Sequence, residues 1–280
     1  MKGSLRVTLK TSFDKRVVRY EEIHSIQQND FDAMVASAEL SGDCRVLDCG
    51  CGYGAVSREL IKDTEQVRRS GTLKLSIDLL DESDVQLDRA RQELAPQMEE
   101  IGTQLGFIRG SFPHATEDLY DVIICKMVLH EIRREEQMNF VNGVYDRLKK
   151  TGRFILWDLC LASDIAEFHR SVVKMKDMLV GYDTMVERRY FLSENELVEL
   201  FKGSSFGGIE FVKRILYRFE THKRLNPEFG GDKVAFYRWE EYIRTLATAA
   251  SPELLKRIEY EDRGDNICFN VGKVLAKARR

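Results

Sequence analysis

Val46-Leu47-Asp48-Cys49-Gly50-Cys51-Gly52-Tyr53-Gly54-Ala55-Val56-Ser57-Arg58-Glu59-Leu60 decides how the rest of the chain is read. Val46 and Leu47 close a short apolar strand that begins near Cys44. Gly50, Gly52 and Gly54 then alternate with other residues. From Ala55 the apolar positions Val56, Leu60 and Ile61 fall on one side of a helix. Glycine reaches φ > 0 and lets a ligand lie against the backbone with no Cβ in the way. The helix that follows offers free N–H groups and a partial positive charge at its start. Three readings fit this stretch: a tight turn, a dinucleotide site, or a site for another ligand. The dinucleotide fingerprint G-x-G-x-x-G is met if Ala55 stands for its last glycine. Asp48 favours the third reading. A carboxylate there accepts hydrogen bonds from the turn or from a bound amine, and does not help to hold a pyrophosphate.

Outward from the glycines, strands and helices alternate. The first helix is expected over Ala55–Arg69 and ends at Gly71. Leu73, Leu75, Ile77, Leu79 and Leu80 form a strand ending at Asp81, and Glu82-Ser83 opens a helix through Leu87, Ala90 and Leu94, with Pro96 and Gly102 as interruptions. Leu105–Gly110 is a third strand. The doubled apolar run Asp121–Val128 is a central strand buried on both faces. A helix over Glu135–Leu148, a turn at Lys150-Thr151-Gly152 and a strand over Arg153–Leu159 follow. This order implies a doubly wound, mostly parallel sheet. Asp48–Gly54, Asp81, Ser111, Lys126–Glu131 and Asp158 all follow strand ends, so they are expected to line one rim of it.

Beyond the core the pattern is helical. Glu21–Leu40 carries helical periodicity, with Asn29-Asp30 as a break, and residues 1–43 read as a helical cap. Residues 44–219 form the core, with a lid helix near 162–180. Ser193 and Glu196 form a capping-box signal, and Gly207–Phe219 reads as strand six. Residues 220–265 form an insertion with helices near Val234–Ala250 and Pro252–Tyr260. Residues 266–280 hold the last strand, antiparallel to its neighbours.

Size and composition bound the function. The 280 residues, 43% hydrophobic and 32% charged, describe a globular protein with one large core. The net charge of −3 argues against a large nucleic-acid footprint. No run of about 18 apolar residues is present, so no membrane span is expected. Met1–Arg6 has no apolar signal region, and six cysteines without ligand spacing point to free thiols in a reducing, cytoplasmic compartment, with no metal.

The opening stretch resembles motif I of the class I S-adenosylmethionine-dependent methyltransferases, hydrophobic-Leu-Asp-x-Gly-x-Gly-x-Gly. Asp81-Glu82-Ser83-(x)6-Ala90-Arg91 resembles their motif II, whose acid binds both ribose hydroxyls. The Ala90 anchor selects Asp81 over its rival Asp78. The resemblance implies a Rossmann-like, seven-stranded fold with S-adenosylmethionine as cofactor. The contacts it implies come from Asp48, Gly50, Cys51, Gly52, Gly54, Asp81, Glu82, Ser111, Phe112 and Lys126. Ser111-Phe112 replaces the family's usual acid after strand three. Phe13-Asp14-(x)5-Tyr20-(x)6-Gln27 resembles the active-site cap of small-molecule members, so the expected partner is a small-molecule acceptor. His130 is the candidate base, with Glu131 orienting it or serving as an alternative carboxylate. Val128-Leu129-His130-Glu131 resembles the Leu-His-Asp-Trp stretch of small-molecule O-methyltransferases, with Glu131-Ile132 in place of Asp-Trp. No Asn/Asp-Pro-Pro-Tyr/Phe motif follows strand four, which argues against an adenine or glutamine-amide acceptor. A tRNA or protein methyltransferase, a non-catalytic S-adenosylmethionine-binding protein and a nicotinamide oxidoreductase remain alternatives. The sequence sets no oligomeric state.

Overall fold

The computed structural model of the protein describes residues 26–101 and 103–280, with residues 97–101 by backbone alone. The cap segment Phe13–Tyr20, His24 and Gly102 lie outside the described residues. In chain order the elements are α1 (Gln28–Ala38), β1 (Gly42–Cys49), α2 (Ala55–Asp63), α3 (Glu65–Arg69), β2 (Leu73–Asp81), α4 (Asp84–Ile101), β3 (Gln104–Arg109) and β4 (Tyr120–Lys126). They continue with α5 (Gln137–Arg147), β5 (Leu148–Leu159), α6 (Ser163–Leu179), α7 (Asp183–Arg188), α8 (Glu194–Gly203), β6 (Glu210–Glu220), α9 (Lys233–Ala249), α10 (Pro252–Arg257), β7 (Glu261–Asp262) and β8 (Ile267–Arg279). Single 3-10 turns stand at Leu129–Glu131 and His222–Arg224.

One sheet runs in the order β3-β2-β1-β4-β5-β8-β6, with β7 attached to β8. Neighbours among the first five strands are parallel, and β8 is antiparallel to both β5 and β6. From β1 the chain winds outward through β2 and β3, then crosses back to β4 on the other side. That reversal opens a crevice at the carboxyl end of β1, where the glycine run begins. Along β1, Val46 packs into the layer with Trp157 and Leu60, while Leu47 packs into the opposite layer with Phe154 and Phe140. Both faces are therefore covered, as a parallel sheet requires.

Several expected details differ. Helix Ala55–Arg69 is two helices, because the Thr64 hydroxyl turns back to the Leu60 carbonyl (2.5 Å) and accepts from Arg68 Nε (3.0 Å). Pro96 does not interrupt α4, where Leu87, Ala90 and Leu94 are buried in the turns before it. Lys150-Thr151-Gly152 is not a free turn. It lies within β5, where the register against β4 slips between Tyr120↔Leu148 and Val122↔Arg153 and absorbs the extra residues as a bulge. Within the described residues a helix starts at Gln28, just before Asn29-Asp30, with the Gln27 N–H donating to Asp30 Oδ2 (3.3 Å). Strand β6 begins at Glu210 rather than Gly207, whose φ of +70° belongs to the preceding turn. The main path of the sheet has the expected seven strands, and the two-residue β7, inside the 220–265 stretch, adds an eighth against β8. The capping box at Ser193 forms, with Ser193 N–H to Glu196 Oε2 (2.7 Å) and Glu196 N–H to Ser193 Oγ (3.3 Å).

A third cluster of buried residues sits beyond the carboxyl ends of the strands. It joins Phe168, Val172 and Val173 of α6 to Phe191, Phe219, Phe229, Phe269 and the α9 residues Phe236, Trp239 and Ile243. The Trp239 indole N–H donates to the Val172 carbonyl (2.9 Å) and ties α9 to α6. Among the described residues, no helix is long and apolar enough to cross a membrane, and no His, Cys, Asp and Glu group could hold a metal ion.

Candidate active site

The glycine turn shows why each glycine is needed. Gly50, Gly52 and Gly54 all have positive φ, at 71°, 53° and 82°. A Cβ on Gly50 would stand 2.4 Å from Val128, and one on Gly54 would meet Leu94 at 3.1 Å and Ala90 at 3.4 Å. These two glycines serve packing. A Cβ on Gly52 would meet nothing within 4 Å, so Gly52 is the position left open to a ligand. The N–H groups of Gly50 and Cys51 both donate to the Leu80 carbonyl, at 2.8 and 3.0 Å, which fastens the turn to the end of β2.

Asp81 completes this fastening. One carboxylate oxygen accepts from Gly52 N–H (2.9 Å) and the other from Ser83 N–H (2.9 Å) at the start of α4. A carboxylate offers about four acceptor positions, and Asp81 lines the cavity beside the glycine turn. Asp78, the rival acid, pairs instead with Arg45 (2.7 Å) and Tyr120 (3.0 Å), away from the cavity. Asp48 is 1% exposed and accepts from the Ser57 hydroxyl (2.7 Å) and N–H (3.2 Å). Burial lifts its carboxyl to about 6, against the bonds from Ser57 and the nearby Lys126 charge. Ser111 donates to Glu82, and Phe112 meets Phe140 edge-on at 5.5 Å. Lys126 ends β4 with its ammonium 5.7 Å from the Trp157 ring and 5.8 Å from Phe31. Burial pushes the Cys51 thiol well up, so it stays neutral.

All ten expected cofactor contacts except Gly54 line one cavity of about 560 Å³, and Gly54 lies beneath it against α4. That volume is in the usual range for small-molecule sites. The cavity continues past Lys126 to His130 and Glu131, then to a wall that the sequence did not reveal. This wall comprises Leu159, His169, Val173, Lys176, Arg189, Phe191, Tyr217, Phe219, Arg224 and Glu228. Asp158, expected on the rim, stands behind His130 instead.

His130 is held on both sides. Its Nδ1 is 2.5 Å from Asp158 Oδ1 and its Nε2 is 3.3 Å from Glu131 Oε1. Burial alone would lower its pKa. The Asp158 and Glu131 carboxylates outweigh burial and lift it to about 9. The ring is therefore a cation at neutral pH with both nitrogens committed, which runs against the expected base role. Glu131 also takes a two-pronged ion pair from Arg189, at 2.7 and 3.0 Å, and Arg189 reaches Asp177 at 2.6 Å. Lys176 stands 3.5 Å from Asp177 and bonds Glu228, which bonds Arg224. The result is an alternating chain, Asp158-His130-Glu131-Arg189-Asp177-Lys176-Glu228-Arg224, with charges matched in sequence. Its members come from β5, α6, the 220–265 stretch and the loops after β4 and α7, so no local spacing announces it. His169 lies 1% exposed beside this chain, with neither ring nitrogen hydrogen-bonded. It follows Phe168 on the apolar face of α6, and a histidine on such a face was the signal available.

A family model described as a methyltransferase domain matches residues 40–210, more than half of the chain. No curated protein matches. Among solved structures, the YcgJ protein from Bacillus subtilis has 19% identity and a TM-score of 0.69, over 91% of this chain and 99% of that one. The cyclopropane synthase MmaA2 from Mycobacterium tuberculosis has 12% identity and a TM-score of 0.55, over 95% and 99%. The mycolic acid cyclopropane synthase CmaA1, in complex with SAH and CTAB, has 15% identity and a TM-score of 0.57, over 91% and 85%. The chain belongs to the class I methyltransferases. It is an S-adenosylmethionine-dependent enzyme, and S-adenosylmethionine is its cofactor.

Proposed function

We propose that the protein moves a methyl group from S-adenosylmethionine to a small molecule, which binds between His130 and the aromatic wall. One observation carries this reading: the far half of the cavity is built from side chains that are themselves buried. Phe191 and Phe219 are each 3% exposed, and Arg224 is 4% exposed. Such a wall suits a molecule that enters the fold, rather than a surface that docks on it. Helix α6 and the 220–265 stretch supply much of it, and we assign them the role of a lid over the acceptor.

The residues present fit the cofactor. Gly52 leaves its ligand side open, Asp81 lines the cavity as a carboxylate suited to ribose hydroxyls, and Asp48 and Lys126 stand near the glycines. We assign Glu82, Ser111 and Phe112 to the adenosine end of the site. When bound, the sulfonium supplies an electrophilic methyl group. The protein's share is to hold the acceptor in line with it and to exclude water. His130 is assigned to positioning: its charge fixes Glu131, and Glu131 in turn fixes Arg189. A hydroxyl acceptor would need a base, and His130 becomes a free base only as pH rises past about 9.

Titration with S-adenosylhomocysteine tests the cofactor site. Asp81→Ala is expected to weaken binding by about tenfold or more, since it removes both the hydroxyl acceptor and the Gly52 tether; unchanged affinity would remove Asp81 from the site. Labelled S-adenosylmethionine, incubated with the enzyme and either a metabolite extract or a tRNA and protein fraction, tests the acceptor class. Label is expected in the metabolites. Label confined to tRNA or protein would overturn the small-molecule reading.

A further inference from the structure

His169 is a buried polar group without a use inside the protein. It is 1% exposed, it lines the acceptor half of the cavity, and neither Nδ1 nor Nε2 has a hydrogen-bond partner. Three phenyl rings surround it: Phe191 at 5.1 Å, Phe219 at 6.2 Å and Phe269 at 6.4 Å, all nearly edge-on. Burial, and then the cations Arg224, His130, Lys176 and Arg189, lower its pKa to about 3. The ring is therefore neutral and offers one donor and one acceptor. Native structures rarely leave such a group unsatisfied, and an exception calls for an explanation.

The neighbouring charges point the same way. Each cation of the alternating chain is matched by a carboxylate, so this wall presents compensated charge together with aromatic surface. On this wall the uncharged imidazole has neither of its two nitrogens hydrogen-bonded.

We propose that the methyl acceptor is an uncharged, largely aromatic small molecule carrying one hydroxyl or N–H group, and that His169 is the side chain that hydrogen-bonds it. This rests on the assignment of the cavity to methyl transfer. Phe191 and Phe219, which line the cavity, would cover the acceptor, and His169 would select against isosteres that lack the polar group. Lys126 and Arg188 also line the cavity. An anionic acceptor would be held through them, and it is the outcome to be distinguished.

The test is calorimetry on the full chain saturated with S-adenosylhomocysteine, using 2-naphthol, naphthalene and 2-naphthoate as probes. We expect 2-naphthol to bind about tenfold more tightly than either of the others, the usual scale for one buried hydrogen bond. His169→Phe is expected to abolish that preference, and His169→Gln to restore part of it. Both variants should keep their affinity for S-adenosylhomocysteine within about twofold, since His169 lies on the other side of the cavity. In wild type, the His169 15N resonances, assigned by their loss in His169→Gln, should shift on addition of 2-naphthol and not of naphthalene. This readout needs no folded Phe variant. Tightest binding of 2-naphthoate, an undiminished preference in His169→Phe, or no binding of 2-naphthol to the saturated wild type would each overturn the proposal. Failure to bind S-adenosylhomocysteine at all would instead overturn the cofactor assignment.

Discussion

Two histidines contact one phenyl ring, and their surroundings drive them to opposite states. His130 stacks on Phe191 at 5.1 Å and 18°, while His169 meets the same ring edge-on at 5.1 Å and 69°. Both are buried, so burial favours the neutral form of each. His130 has Asp158 and Glu131 against its nitrogens and rises to about 9. His169 has phenyl rings and distant cations, and falls to about 3. Burial alone therefore says little about charge in this pocket; the position of the carboxylates decides it. One histidine belongs to a matched ionic chain, and the other is left for a ligand.

The strongest way to break this contrast is to remove the carboxylate. Asp158→Asn leaves His130 buried with one partner fewer and should cost about 3–5 kcal/mol, the usual penalty for breaking a buried pair. Urea unfolding at pH 7 measures it, and a loss below about 1 kcal/mol would mean that the pair contributes little. In the same variant the His130 15N titration should move down toward that of His169.

The pH dependence of stability follows from the same shifts, with opposite signs. His130 has a folded pKa above its unfolded value, so its contribution is fully present below pH 6.5 and is lost as pH rises toward 9. His169 has a depressed folded pKa, so its neutral folded form is favoured above pH 6.5 and stability is lost as pH falls toward 3. The effect is on the order of 3 kcal/mol for His130 and on the order of 5 kcal/mol for His169. Unfolding curves of wild type, Asp158→Asn and His169→Phe between pH 4 and 9 separate them. The alkaline loss should shrink in the first variant and the acid loss in the second, the remainder coming from groups such as Glu196, whose carboxyl is held down to about 2, and from Glu131 beside His130.

The cofactor side was legible because local backbone chemistry dictates it. Gly50, Gly52 and Gly54 announce positive φ values. The spacing from Asp81 to Ala90 has a physical basis, because Ala90 is the small residue against which Gly54 packs. Strand ends follow from apolar runs, so the rim could be read from spacing alone. The acceptor wall follows no such rule. Lys176 and Glu228 are 52 residues apart, Glu131 and Arg189 are 58 apart, and each looks like an ordinary surface charge in its own helix or loop. Their burial comes from separate elements brought together in the fold, a tertiary event with no local signature. Asp158 was taken for a rim residue because it follows a strand. Its role behind His130 depends on which way the strand's last side chain faces.

A smaller effect separates His169 from His130 through stability alone. Replacing an unpartnered buried polar group by an apolar one of similar shape removes a desolvation cost. His169→Phe should therefore stabilise the free protein by roughly 1–2 kcal/mol while reducing acceptor binding. The same substitution at position 130 should destabilise it, because Asp158 and Glu131 would lose their shared cation. Thermal unfolding of the two variants side by side checks this, and a loss of stability in both would mean that His169 has an internal partner.

The smallest expected change in stability lies at Gly52, and it carries the contrast back to the cofactor half. Its φ of 53° is left-handed, so Gly52→Ala should cost about 1–2 kcal/mol from backbone strain. The added methyl meets no protein atom within 4 Å, so no packing cost accompanies it. It stands instead on the side we assign to the cofactor, and S-adenosylhomocysteine affinity should fall by more than the lost stability accounts for. Gly54→Ala carries the same strain but drives its methyl against Leu94 and Ala90, so it should lose more stability and proportionately less affinity. Measuring unfolding and cofactor binding for both variants separates a glycine that exists for a ligand from one that exists for a helix. Equal ratios of the two losses would remove Gly52 from the cofactor site.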